Sequence, residues 1–412
     1  MHRTRPRYRV VVVSARSGDV ASGRPKERPL RVAVLWLGRI SNDTAGRTYL
    51  TELLGPLARQ PGLEVDVHLG DPKFNAPPGC RVVRHRVPYA VGPFGRILAE
   101  PIVVARLRRA GYDVLLAPFN FLPPLWRGPS VLVQHNVLAF GSGLGDHLSR
   151  LRAFYRPRAL ARSVKHATEI LAISGYLRDL LVAHYPNLDP SRVRVVHYGV
   201  STALAAPPDR QSADNRRSTV LVVSALWPHK RVDQAIRAFA AAADGREAVL
   251  LIAGPAPDSH RKPLEALAAE LGVRERVRFL GNVPHDQLRA LYASADLLLY
   301  PSDVESFGLP LLEAMMAGVP VIAKRTPGQL EVAGGAPLWV GADATDDEVA
   351  EALARMLDDP RLRAERIAAG RTRAESFTWE RAAAETALAL RDAASLPGLA
   401  VARGGHELAD SR

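Results

Sequence analysis

Two glutamates eight positions apart, Glu305 and Glu313, stand in DVESFGLPLLEAMMAGVPVIA, from Asp303 to Ala323, with Phe307 and Gly308 between them. The apolar run DLLLY ahead of them reads as a buried strand and PSDVESFG as a loop. LPLLEAMMA then reads as a helix, with Pro310 suited to its first turn and Gly318 to its end. A glycine at such a junction lets an anion approach the free N–H groups at the positive end of a helix. A diphosphate there would accept bonds from the backbone of Phe307, Gly308 and Leu309. Glu313 would accept two bonds from a ribose diol, and Glu305 would point toward a transferred group. By spacing alone, a solvated loop acid and a glutamate favoured early in a helix by the dipole explain the pair at least as well.

A second candidate lies in LWPHKRVDQAIRAF, which follows the strand-like TVLVVSA and brings Lys230, flanked by His229 and Arg231, to another strand end. A cation there could neutralise a leaving diphosphate. Arg231 taken singly reads as ordinary basic loop character. Lys230 stands out because the chain has only six lysines and otherwise uses arginine.

The elements that must position these residues come in two series. LRVAVLWLG, LEVDVHLG, YDVLLAPF, SVLVQHN and EILAISG are short apolar runs with helical stretches between several of them, such as TAGRTYLTELLGPLARQ with Leu50, Leu53, Leu54 and Leu57 on one side. After RVRVVHYGV and the Pro-, Ala- and Ser-rich STALAAPPDRQSADNRRS, a second series begins: TVLVVSAL, AVLLIAG, VRFLGNV, ADLLLYPS, VPVIAKR and PLWVG. Strands alternating with helices predict doubly wound parallel sheets, hence two α/β, Rossmann-like domains facing across a cleft. In such sheets ligands bind beyond the carboxyl ends of the strands.

We read residues 1–29 as a disordered basic extension, 30–200 as the first domain, 201–217 as a linker and 218–375 as the second domain. A helix over 376–395, capped by Ser376 or Thr378, follows, and 396–412 reads as a frayed tail. With 412 residues, 47% of them hydrophobic, two cores are affordable in size. The single Cys80 forms no internal disulfide, and no stretch combines the length and apolarity of a membrane span, so a cytoplasmic protein is expected. Residues 1–29 hold eight basic side chains against Asp19 and Glu27, which is +6 of the net +13. That balance suits an anionic ligand or acidic lipid, and aromatics do not interleave with the charges as a nucleic-acid platform requires. The basic stretch from Leu148 to Ala167 contains no acid and reads as a solvated helix, with peripheral contact at the inner face of a membrane left open. DATDDE, from Asp343 to Glu348, lacks ligand spacing for a metal and reads as a helix start.

The string ESFGLPLLEAMMAGVPVIA, with PGQLEVAGG around Glu331 downstream, resembles the E-x7-E region of the retaining GT-B glycosyltransferases often called family four. That family includes bacterial mannosyl- and N-acetylglucosaminyltransferases, and the resemblance extends from about Leu30 to Ser395. It implies a GT-B fold whose last helix crosses back to the first domain, with SFTWE around Phe377 and Trp379 introducing that helix. Position by position, it implies Glu313 as ribose ligand, the Phe307 to Leu309 backbone as donor contact, Lys230 as diphosphate clamp and Glu305 as the acid beside the donor sugar. NDTAGRTYL is similar to the family's glycine loop, with Gly46 the matching glycine and Ala45 where many relatives have another. LVQHNVLAF resembles the segment that brings a histidine, here His135, to the cleft, although a satisfied loop histidine is the competing reading. Ala225 stands near where many relatives carry an arginine, whose phosphate role is then either absent here or shared by His229 or Arg231. ISGYLRDLL around Ser174 also matches and is expected to be structural.

The implied activity is transfer of a sugar from a GDP- or UDP-sugar, mannose-like, to an acceptor hydroxyl with retention of configuration. The family is usually assigned a front-face displacement, so Glu305 is given an orienting role. The donor is a substrate; no tightly bound cofactor and no metal are expected. The acceptor would be a glycan, a lipid-linked or a small molecule, in polysaccharide, glycolipid or natural-product synthesis. The alternatives are an epimerase-like GT-B enzyme and a non-catalytic sugar-nucleotide or glycan binding protein.

Overall fold

The computed structural model describes residues 28–37, 45–71, 74, 76–86, 94–136, 150–205 and 217–396. Almost all of the expected extension and tail, and 206–216 of the expected linker, lie outside the described residues.

The first sheet contains β1 (Leu30–Trp36), β2 (Leu63–Leu69), β3 (Arg81–Arg84), β4 (Val114–Ala117), β5 (Ser130–Gln134), β6 (Glu169–Ala172) and β7 (Val193–Val195). They are ordered β3-β2-β1-β4-β5-β6-β7 and pair in parallel throughout. Its helices are α1 (Ala45–Ala58), α2 (Phe94–Ala110), α3 (Arg150–His166) and α4 (Gly175–His184). The runs VLLA, SVLVQ and EILA are buried along their whole length because helices cover both faces of a parallel sheet. Leu50, Leu53, Leu54 and Leu57 of α1 are fully buried, as their helical spacing predicts.

The second sheet holds β8 (Ser218–Val223), β9 (Ala248–Ala253), β10 (Val277–Gly281), β11 (Leu297–Tyr300), β12 (Val321–Lys324) and β13 (Leu338–Val340). Its order is β10-β9-β8-β11-β12-β13, again all parallel. Around it lie α5 (Val232–Ala242), α6 (Asp258–Glu270), α7 (His285–Ser294), α8 (Leu309–Met316), α9 (Pro327–Ala333), α10 (Asp346–Asp358) and α11 (Pro360–Ala374). The acidic run after Asp343 opens α10, where Thr345 and Glu348 form a reciprocal capping box.

Both halves are therefore Rossmann-like, and the fold is GT-B. The last helix, α12 (Trp379–Ser395), packs against α1 and strands β4 to β6 of the first sheet. Thr378, of the two expected caps, receives the Arg381 N–H, while the Ser376 hydroxyl donates to the Arg373 carbonyl. No described helix is long and apolar enough to cross a membrane.

Each sheet reverses its strand order once, between β1 and β4 and between β8 and β11. Loops leaving the strands on either side of such a switch point diverge and open a crevice at the carboxyl ends.

Candidate functional site

A cleft of about 740 Å³ lies between the carboxyl-end loops of the two sheets, lined by Trp36, Gly46, Arg47, Asn120 and His135 on one wall. Ser224, Lys230 and residues of the 304–310 loop with Glu313 line the other.

The second-domain wall is built on the β11–α8 junction. Gly308 caps α8 with φ 88° and ψ 52°, a left-handed conformation that glycine adopts without cost. Pro310 occupies the first turn, where it gives up no helical hydrogen bond. The Phe307 ring is 2% exposed and packs on Tyr198 and Phe377, so what it offers the cleft is its backbone.

Glu305 is 8% exposed and accepts two hydrogen bonds on Oε1, from Lys230 Nζ at 2.6 Å and Tyr300 OH at 2.6 Å. Glu313, 6% exposed, accepts from Tyr292 OH at 2.8 Å on Oε2. Burial, and then the adjacent carboxylates, raise the pKa of both tyrosines well above their usual value, so each remains a donor. The acid pair thus divides: both accept from a phenol, but only Glu305 is also paired with a cation in these contacts.

Lys230 ends a 3-10 turn, Pro228–Lys230, that follows β8. The chain then turns through Arg231 at φ 51°, a left-handed residue that precedes α5. Arg231 pairs with Asp233 at 3.3 Å and Asp303 at 3.5 Å and does not line the cleft. His229, the other stand-in considered for the missing arginine, is 6% exposed and does line it. The Asp303 N–H donates to the His229 carbonyl at 2.9 Å, and Lys324, 1% exposed, donates to Asp303 at 2.6 Å. The Lys230 turn and the Glu305 loop are thereby stitched into one unit.

The first-domain wall is aromatic. Gly46 opens α1 so close to Phe119 that an added Cβ would lie 2.4 Å from its ring. Trp36 and Phe119 meet edge to face at 4.1 Å, and Tyr49 and His135 at 4.9 Å. The His135 ring is engaged on both nitrogens: Nε2 faces the Pro118 carbonyl, which only accepts, so Nε2 carries the proton. Nδ1 then accepts from Tyr198 OH. Burial pushes the ring down to about 4, against the contrary pull of the Pro118 carbonyl, so the imidazole is neutral near pH 7. In this arrangement His135 offers the cleft neither a proton nor a lone pair.

Of the residues singled out by sequence, Glu305, Lys230, His135, Glu313, Phe307, Gly308, Leu309 and Gly46 meet in one cleft, and Arg231 stands behind it. Sequence reasoning missed Tyr300 and Tyr292, the donors to the two acids. For Tyr300 the signal was a tyrosine ending an otherwise apolar buried strand, whose hydroxyl must find a partner; Tyr292 is a buried position of the largely exposed helix α7 and carried no such signal. Sequence reasoning also missed Arg47 on the first-domain wall.

Two family models match the chain: "Glycosyl transferases group 1" over residues 208–373 and "Glycosyltransferase Family 4" over residues 46–204. A D-inositol 3-phosphate glycosyltransferase of Salinispora arenicola is 30% identical over 420 residues, covering 88% of this chain and 92% of that protein. Among solved structures, WaaG, a glycosyltransferase involved in lipopolysaccharide biosynthesis, superposes with a TM-score of 0.70 at 20% identity over 87% of this chain and 99% of its own. HepE of Anabaena, in complex with UDP and glucose, gives 0.67 at 20% identity over 88% and 100%. At that identity the two structures speak to the fold alone.

Proposed function

The chain belongs to the group 1 glycosyltransferases, and on that premise we propose that it moves a sugar from a nucleoside-diphosphate donor to an acceptor hydroxyl with retention of anomeric configuration. The observation that carries the reading is the Lys230–Glu305 pair beside the free N–H groups that open α8, facing the first-domain wall across the cleft. In this reading residues 30–200 form the acceptor domain, 218–375 the donor domain, and 376–395 the returning helix.

The donor diphosphate accepts from the backbone at Phe307, Gly308 and Leu309, and Lys230 swings part of its charge from Glu305 to the phosphate. As the bond from the anomeric carbon to the diphosphate oxygen breaks, the diphosphate gains charge, and a pre-placed cation and helix start stabilise that gain. The acceptor oxygen bonds to the same face of that carbon, and its proton passes to the departing diphosphate. Glu305 orients Lys230 and the sugar, Glu313 takes the ribose hydroxyls, and His135 shapes the acceptor wall. Lys230 and the α8 terminus make a metal dispensable, so turnover should survive EDTA unchanged.

The UDP complex of HepE makes UDP-sugars the first donors to test, with GDP-mannose beside them. The name of the Salinispora relative makes a phosphorylated polyol the first acceptor, ahead of glycans and lipid-linked sugars. Thermal stabilisation by UDP- or GDP-sugars, followed by acceptor-dependent release of nucleoside diphosphate, tests the reading. Release that needs no acceptor would favour an epimerase-like enzyme, and binding without release a sugar-nucleotide binding protein. Exposed Arg156, Arg158 and Lys165 of α3 also support peripheral membrane contact, to be checked by salt-sensitive binding to anionic vesicles.

A further inference from the structure

Glu331 belongs to α9 of the second domain, yet its carboxylate serves the first. Oε1 accepts the Gly175 N–H at 2.6 Å and Oε2 the Tyr176 N–H at 2.9 Å, while His197 Nε2 lies 2.8 Å from Oε1. Gly175 and Tyr176 open α4, and their N–H groups are among those a helix start leaves without internal partners. Burial raises the Glu331 pKa, but the His197 and two backbone hydrogen bonds outweigh it and hold the carboxyl below its ordinary range, so the cap is charged.

The cap of α4 itself is shared between domains. Ser174 Oγ accepts from Leu177 N–H at 3.1 Å and donates to the Ser306 carbonyl at 2.6 Å, next to Glu305. On the other side Gly328, in the first turn of α9, has no room for a side chain: a Cβ would sit 2.2 Å from the Glu305 carbonyl oxygen and 3.3 Å from Tyr176 Cδ1. The first turns of α4 and α9 and the 305–306 peptide are wedged together.

We propose that Glu331 is a positioning residue for the sugar transfer inferred above: it fastens α4 to the second domain and, through Ser174, fixes the Ser306 carbonyl and the loop that presents Glu305. Its effect on turnover rests on the glycosyltransferase reading, whereas the mechanical link rests on the contacts alone.

Hydrogen exchange on the full chain tests the link without any substrate. Glu331→Gln keeps the shape but loses the charge and one acceptor, so the Gly175 and Tyr176 amides and the hydrogen-bonded amides 311–313 at the start of α8 should exchange roughly 10-fold faster, the factor a lost hydrogen bond to a charged group is worth. Ser174→Ala should speed the 311–313 amides alike, the double variant should be no faster there than the faster single, and β9 amides should be unchanged. In turnover, Glu331→Gln should raise donor KM roughly 10-fold and leave kcat within about twofold, because saturating donor restores the fastened state. The proposal is overturned if 311–313 keeps its protection in Glu331→Gln, if the two substitutions add, if β9 accelerates in step, or if kcat falls with KM unchanged. A wild-type chain inactive with every donor would remove the glycosyltransferase reading and leave the exchange result to decide the link.

Discussion

The two walls of the cleft are built from different materials. The second-domain wall places its acids and its lysine in short hydrogen bonds on loops stitched by Asp303, Lys324 and His229. The first-domain wall is a cluster of rings, Trp36, Phe119, His135 and Tyr198, backed by Tyr49, and its imidazole is neutral and doubly engaged. In the proposed transfer, fixed charges suit the part of the ligand that would always be the same, a diphosphate on a ribose. A surface of packed rings with Arg47 at its edge selects by shape, and shape is what must vary between acceptors.

The largest effect expected from this contrast is at Lys230. Lys230→Ala should lower kcat in the nucleotide-release assay about 100-fold, since a charged interaction of about 1.5–3 kcal/mol, made stronger as the diphosphate departs, is lost. Wild-type kcat in this variant would remove the chemistry from the second-domain wall. Acid should act on the other wall. His135 and His68 of β2 are both pushed by burial to about 4 in the folded chain, against about 6.5 unfolded. With the folded value depressed, protonation favours the unfolded state. Stability is therefore lost as pH falls below about 6.5, and the loss is complete near 4. About 2 kcal/mol per histidine should disappear between pH 7 and pH 5. Exchange protection of β1 and β5 should fall over that range while that of β8 and β9 holds; an equal fall in both sheets would erase the contrast.

Glu313→Gln should weaken UDP or GDP binding about 10-fold by calorimetry, the value of one charge-assisted bond to the ribose. An unchanged Kd would free Glu313 from that role. The smallest effect belongs to Arg47→Ala, which should raise the KM of a phosphorylated acceptor about threefold, in the range of a partly solvated charge, with donor Kd unmoved. A shift in donor Kd instead would show that the walls do not divide the substrates.

What was legible in the sequence follows the same division. The β11–α8 junction and the Lys230 turn are local: strand, loop and helix start are spelled within a dozen or so residues by apolar runs, Gly308 and Pro310. The parallel strands could be read because burial on both faces makes them continuously apolar. β3 was missed because RVVR is an edge strand, exposed at both ends and only half-buried between, so it carries no such run. The Tyr292 donor to Glu313 and the Glu331 cap were not legible, since they are tertiary: Glu331 and Gly175 are 156 positions apart and meet only when two domains do. His135 could be placed at the cleft by resemblance, but its tautomer depends on Pro118 and Tyr198, which no local pattern brings together.

The course of α12 has a consequence for how the molecule is made. The helix that covers α1 and strands β4 to β6 is supplied by residues 379–395, after the whole second domain. On the ribosome, the first sheet therefore waits with that face bare while nearly two hundred further residues are synthesised. The second domain, with all its own helices already in hand by residue 374, is placed to fold before the first is finished, so birth order and completion order are reversed in this chain.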